Sequence, residues 1–277
     1  MDLQIVCCSN PMDIGPEAIA VFDSGIGGLT VLNNIRQHLV HGSIFYLADN
    51  GFVPYGEKTV EQIRQRCLQV VAWFAQQGFK TVVIACNTAT TLAIDDLRQA
   101  FADIQFIGVE PGVKPAAEQS KNKKAIVLAT QGTVTSLRYR RLVSDYAQKH
   151  QCEIISWACS DLVRAIEHSA GMYTSELDLL IDHYVDRIHQ AQADTVVLGC
   201  THFPLIKTHI LHLLGQEVSV IDTSIPVAKQ LIRTLERHDR LPTDAAITSL
   251  NISKSDSNYC EKLVRLASLD MVDLCLS

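Results

Sequence analysis

The amino-acid sequence predicts an α/β protein made of two pseudo-symmetric α/β domains, with mainly parallel sheets facing a shared cleft. Two observations carry this expectation. Short apolar, β-rich runs alternate with helical stretches over almost the whole 277-residue chain, as in parallel sheets covered by helices on both faces. An internal repeat accompanies them: Thr81-Val-Val-Ile-Ala-Cys86-Asn87-Thr88 and Thr195-Val-Val-Leu-Gly-Cys200-Thr201-His202 keep Thr, Val, Val and Cys in identical register. Two similar halves place equivalent strand ends across one cleft.

In chain order, the first half has strand candidates at residues 18–22, 43–48, 81–85 and 105–109. Between the second and third lies a helical stretch, residues 59–77, where Ile63, Cys67, Val70, Val71 and Phe74 recur on one face. The Pro/Gly cluster Glu110-Pro111-Gly112-Val113-Lys114-Pro115 then marks a boundary. The second half has strand candidates at 124–129, 153–158, 195–199 and 217–221. Its opening, Val127-Leu-Ala-Thr130-Gln131-Gly132, aligns weakly with Ala20-Val-Phe-Asp23-Ser24-Gly25. Helical residues 226–238 return to the first half, so the expected domains are 1–112 with 223–277, and 113–222. Residues 1–17, with Pro11 and Pro16, lack a periodic pattern long enough for an independent element.

Composition narrows the function classes. Hydrophobic residues at 47% against 19% charged place the chain among globular proteins. A net charge of −6 argues against binding a phosphate backbone, so no nucleic-acid partner is expected. No run of about 20 apolar residues is present to span a bilayer, and the N-terminus lacks the basic and apolar regions of a secretory signal. Nine scattered cysteines without C-x-x-C pairs fit a reducing cytosol, hence a cytoplasmic protein, better than a disulfide framework.

Chemistry is expected at the strand ends. Cys86 and Cys200 each follow an apolar strand, precede a polar residue and open a helix. Ligands bind outside the carboxyl ends of parallel strands, and a helix start favours a thiolate by lowering the thiol's pKa, which makes a useful base. A buried structural Cys is the alternative for either residue alone; their matched register favours function for the pair. The Asp23-Ser24-Gly25-Ile26-Gly27-Gly28 turn can cradle an anion with its amides, or can simply be a tight turn. His202, two residues after Cys200, can tune that thiol. Spacing alone reads Glu167 as a solvated helix face.

Taken together, these motifs resemble the glutamate racemases of the aspartate/glutamate racemase family. The resemblance rests on Asp23-Ser24-Gly25-Ile26-Gly27-Gly28-Leu29-Thr30, Pro54-Tyr55-Gly56-Glu57-Lys58, Ala85-Cys86-Asn87-Thr88-Ala89 and Leu198-Gly199-Cys200-Thr201-His202-Phe203-Pro204-Leu205. Segments 108–116 and 129–134 fit in the right order, and coverage runs from about residue 18 to 229. The resemblance implies a cofactor-independent, metal-free racemase that interconverts L- and D-glutamate and supplies D-glutamate for peptidoglycan. By position it implies Cys86 and Cys200 as the acid/base pair, assisted by Asp23, Glu167 and His202. Asp23, Ser24, Pro54, Tyr55, Gly56, Asn87, Thr88, Thr130, Thr201 and His202 would line the substrate pocket with both cysteines. It also implies a homodimer, and the extra N-terminal segment resembles in position the extensions of members activated by UDP-N-acetylmuramoyl-L-alanine.

Three alternatives remain at this point. An aspartate racemase shares the paired cysteines but commonly has Glu after its Cys-Thr, where this chain has His202. A non-catalytic two-domain binding protein can use the same plan. A dithiol redox protein is disfavoured by the absence of a C-x-x-C unit.

Overall fold

Each apolar run becomes a strand within one or two residues of its expected bounds. The computed structural model describes residues 6–7, 18–39, 41–170, 172, 174–243 and 248–268. Most of the 1–17 segment and the last part of the C-terminal tail thus lie outside the described residues. The strands are β1 (Val6–Cys7), β2 (Ile19–Asp23), β3 (Ile44–Ala48), β4 (Thr81–Ile84), β5 (Gln105–Gly108), β6 (Lys124–Ala129), β7 (Glu153–Ala158), β8 (Thr195–Leu198), β9 (Ser219–Asp222) and β10 (Thr248–Ile252). Between β2 and β5 run the helices α1 (Leu29–His38), α2 (Val60–Gln76) and α3 (Asn87–Ala100). Helices α4 (Val113–Gln119), α5 (Gln131–Thr135), α6 (Leu137–His150), α7 (Ser160–Ser169), α8 (Ser175–Ala191) and α9 (Lys207–Leu214) accompany β6 to β9. Two more, α10 (Ser224–Arg237) and α11 (Ser257–Ser268), flank β10.

One sheet has the order β1-β10-β3-β2-β4-β5 and the other β7-β6-β8-β9. The series β3-β2-β4-β5 and β7-β6-β8-β9 have the same order, and every pair within them is parallel. This is the expected pseudo-symmetry. The register corrects the weaker of the two sequence alignments. Thr81 pairs with Ile19, while Thr195 pairs with Ala125. Asp23 is therefore equivalent to Ala129 and Ser24 to Thr130, one residue away from the alignment made on side-chain likeness. A one-residue slip exchanges the two faces of a strand, so hydrogen-bond register decides between the alignments.

The faces of the first sheet divide as alternation requires. Val21, Tyr46 and Val83 join a core shared with Ile126, Leu128, Val196 and Leu198 of the second sheet. Ala20, Phe22, Phe45 and Ile84 pack under α2 and α3 beside Val70, Phe74 and Leu97. Helix α2 starts at a capping box, in which Thr59 and Gln62 satisfy each other's backbone amides. Helix α10 packs on α1.

Two departures concern the chain ends. Val6–Cys7 forms an antiparallel strand on β10, although the residues around it show no period; it pairs with what would otherwise be an open sheet edge. The sequence also argued against a disulfide framework, yet Cys260 in α11 is disulfide-bonded. Cys67, Cys86, Cys152, Cys159 and Cys200 are free.

Candidate active site

The ends of β2 and β4 meet the end of β8 across the cleft. Cys86 caps α3, its Sγ accepting the Ala89 N–H at 3.5 Å and lying 3.8 Å from Ser24 Oγ. Burial pushes its thiol up to about 12, reinforced by the neighbouring Asp23 carboxylate; the Ala89 amide opposes this only in part. The expectation that the helix start lowers this pKa is thus corrected. Desolvation and a nearby carboxylate outweigh one backbone dipole.

Cys200 follows β8 and lies 3.7 Å from His202 Nδ1. The other ring nitrogen, Nε2, bonds Glu167 Oε2. Glu167 therefore does not lie on a solvated helix face: it is nearly buried, and also accepts from the Tyr259 hydroxyl and, at 3.3 to 3.4 Å, from the Ile26 N–H. Burial opposes charge on both members of the pair. Their mutual attraction prevails, holding His202 well above the usual imidazole range and Glu167 below the usual carboxylate range.

Gly25 is required here by close approach. A Cβ on it would lie 2.4 Å from Glu167 Oε1. The same turn positions Asp23, whose Oδ2 accepts the Gly25 N–H at 2.9 Å and whose Oδ1 accepts the Thr201 hydroxyl at 3.2 Å. Burial raises the pKa of Asp23, although the nearby His202 opposes it.

Tyr55 contributes its ring to the cavity, but its hydroxyl is committed to Asp49 Oδ2 at 2.6 Å. Arg66 Nε donates to the same oxygen at 2.7 Å and its Nη2 to Oδ1. This buried ion pair anchors the Pro54-Tyr55-Gly56 turn. From the other half, the Thr130 hydroxyl lies 2.8 Å from that of Thr88.

Ser24, Pro54, Tyr55, Gly56, Cys86, Thr88, Thr130, Cys200, Thr201 and His202 line one cavity of about 10 Å³. Asp23 and Glu167 lie behind that lining. Between the lining residues Cys86 and Thr88, Asn87 has both Oδ1 and Nδ2 buried without a hydrogen-bond partner. Glu57, Ser160 and Val163 also line the cavity and were not anticipated. Ser160 lies just beyond the end of β7, so the strand-end rule that selected the cysteines also reaches it. The cavity has room for about one water. A groove of about 550 Å³ shares Gly56, Glu57 and Ser160 with it and opens to the surface beside Lys58, Gln131 and Asp161.

Two thiols, one from each half of the chain, thus line a single cavity. The chain matches the Asp/Glu/Hydantoin racemase family over residues 29–268 and belongs to that family. It is an enzyme, an isomerase of the racemase class. Relatives that share about 40% of its residues over most of the chain are glutamate racemases. The one from Pseudomonas syringae pv. tomato is 42% identical over 243 residues, 87% of either chain. Among solved structures, a glutamate racemase isoform of Bacillus anthracis superposes with a TM-score of 0.78 at 28% identity, covering 91% of this chain and 94% of that one. The Escherichia coli glutamate racemase, solved with L-glutamate and the activator UDP-MurNAc-Ala, gives 0.73 at 29% identity over 90% and 93%.

Proposed function

We propose that the protein interconverts L- and D-glutamate by two-base proton transfer at the α-carbon, with Cys86 and Cys200 on opposite faces. The observation that carries this reading is the pair of equivalent strand-end thiols lining one cavity. Cys86 takes the α-proton of D-glutamate while the Cys200 thiol gives one to the other face; L-glutamate reverses the roles. A Cys86 thiol near 12 is ionised in only about one molecule in 10⁴ at pH 8. Binding the substrate's α-ammonium beside Asp23 adds a positive charge near the thiol and offsets the carboxylate that holds its proton. His202, bonded to Glu167, exchanges a proton with Cys200. The unpaired Asn87 amide and the Thr88, Thr130 and Thr201 hydroxyls meet the carboxylate and its developing charge, in a site that excludes water.

The proposal includes the division into domains 1–112 with 223–277 and 113–222, which follows sheet membership. It also includes a cytoplasmic homodimer supplying D-glutamate for peptidoglycan, with UDP-N-acetylmuramoyl-L-alanine as activator. No cofactor or metal enters the reaction, so exhaustive chelation should leave activity intact. The deciding experiment incubates purified protein with D-glutamate in heavy water. Deuterium should enter the α-carbon, and Cys86→Ala and Cys200→Ala should each stay folded and lose racemisation. Near-normal racemisation by either variant would sink the two-base assignment.

A further inference from the structure

Glu167 is held from both sides of the cleft. His202, beyond the end of β8, bonds one carboxylate oxygen from the second half. From the first half come the Ile26 N–H of the β2 turn and the hydroxyl of Tyr259 on α11. Tyr259 lies 92 positions from Glu167 in the chain, in a segment outside every motif that identifies the site. Helix α11 is itself anchored: Lys262 Nζ donates to the His168 carbonyl of α7, and Arg36 of α1 donates to the Ala267 carbonyl. A phenol fixed in this way against a carboxylate donates a strong, charge-assisted hydrogen bond.

We propose that Tyr259 is a positioning residue for the Cys200 side of the reaction: by donating to Glu167 it keeps that carboxylate ionised and directed at His202. The inference rests on the function proposed above. The titratable groups facing this contact are Asp23 from β2, Tyr46 from β3, and His202 with Cys200 beyond β8. Asp23 and Tyr46 bring no positive charge, so the ionised form of Glu167 depends on donors: His202, the Ile26 amide and Tyr259. Opening of the cleft would withdraw the last two together, coupling the protonation of Glu167 to closure.

Removing a donor that bonds only the ionised form must raise the carboxyl's pKa. Tyr259→Phe keeps the ring and deletes the donor, so the acidic limb of kcat/KM should move upward by about one pH unit. 3-Fluorotyrosine at position 259, a more acidic phenol and stronger donor, should move it downward. A packing role alone would lower activity or stability without moving the limb in opposite directions. The Glu167 carboxyl should be followed in parallel by carbon NMR of glutamate-labelled protein, its resonance assigned from Glu167→Gln. Its midpoint should rise with Tyr259→Phe and fall with the fluorinated residue; this reading needs no turnover. If wild-type protein racemises glutamate and neither substitution moves the limb or the midpoint, the Tyr259 role is overturned while the function stands. If wild-type protein does not racemise glutamate, the functional reading fails, and the carboxyl midpoint alone decides the role of Tyr259.

Discussion

Replacing Asn87 with Ala should make the protein more stable and the enzyme far worse. Both amide atoms of Asn87 are buried without partners, and each such group costs about 1–3 kcal/mol. Truncation also forfeits some van der Waals contact, so the low end of the range applies, a net gain of roughly 1 kcal/mol. Ala at the first position of α3 adds a few tenths through helix propensity, on the order of 0.5 kcal/mol. With an unfolding entropy of about 2.1 cal/mol/K per residue, a chain of 277 residues gains about 2 °C in Tm per kcal/mol. Thermal unfolding by circular dichroism measures the first effect. The second is the loss of hydrogen bonds to a charged substrate, about 10- to 100-fold in kcat/KM, measured by coupled or polarimetric assay. A variant that melts lower than wild type and turns over normally would refute the reasoning, since the amide would then serve the fold and not the substrate.

Glu167→Gln should lower Tm by roughly 3 °C, an effect on the order of 2 kcal/mol, with a definite pH window. The raised pKa of His202 gives stability that is fully present below about pH 6.5 and lost as pH rises through its folded value. The lowered pKa of Glu167 gives stability present above about pH 4.3 and lost as pH falls through its folded value. Melting curves should therefore differ most between about pH 4.5 and 6.5; a gap that widens above pH 9 would contradict the pairing. Arg66→Ala strands the buried Asp49 carboxylate with Tyr55 as its remaining side-chain donor, and should cost about 3 kcal/mol, near 5 °C by the same melting assay. A change below 1 °C would show that the Asp49 ion pair contributes nothing net.

The strands that carry the cysteines were legible because they are short apolar runs buried on both faces, as in Thr81–Ile84 and Thr195–Leu198. Strand β10 was not, since its interior includes Ser249 and Asn251, both buried. Asn251 meets the cost of burial by donating to the Tyr46 carbonyl and to Ser249 Oγ, a solution visible only with β3 alongside. Within the site, Cys86 and Cys200 announced themselves by repetition. Glu167 took its meaning from family resemblance, because a carboxylate on an amphipathic helix is ordinarily solvated and its donors come from distant segments. Tyr259 had no local signal at all.

The matched register of the two halves places a thermodynamic constraint on everything unlike about them. Free enantiomers have equal energies in water, so a racemase has equal kcat/KM in the two directions, whatever surrounds each base. Around Cys86 the chain puts Ser24 and Asp23; around Cys200 it puts an imidazole held by a carboxylate. This difference can only redistribute binding and turnover between the enantiomers, making one tighter and slower. A substitution confined to one side of the cleft is therefore felt equally by the two efficiencies, and its location shows only in how kcat and KM divide them.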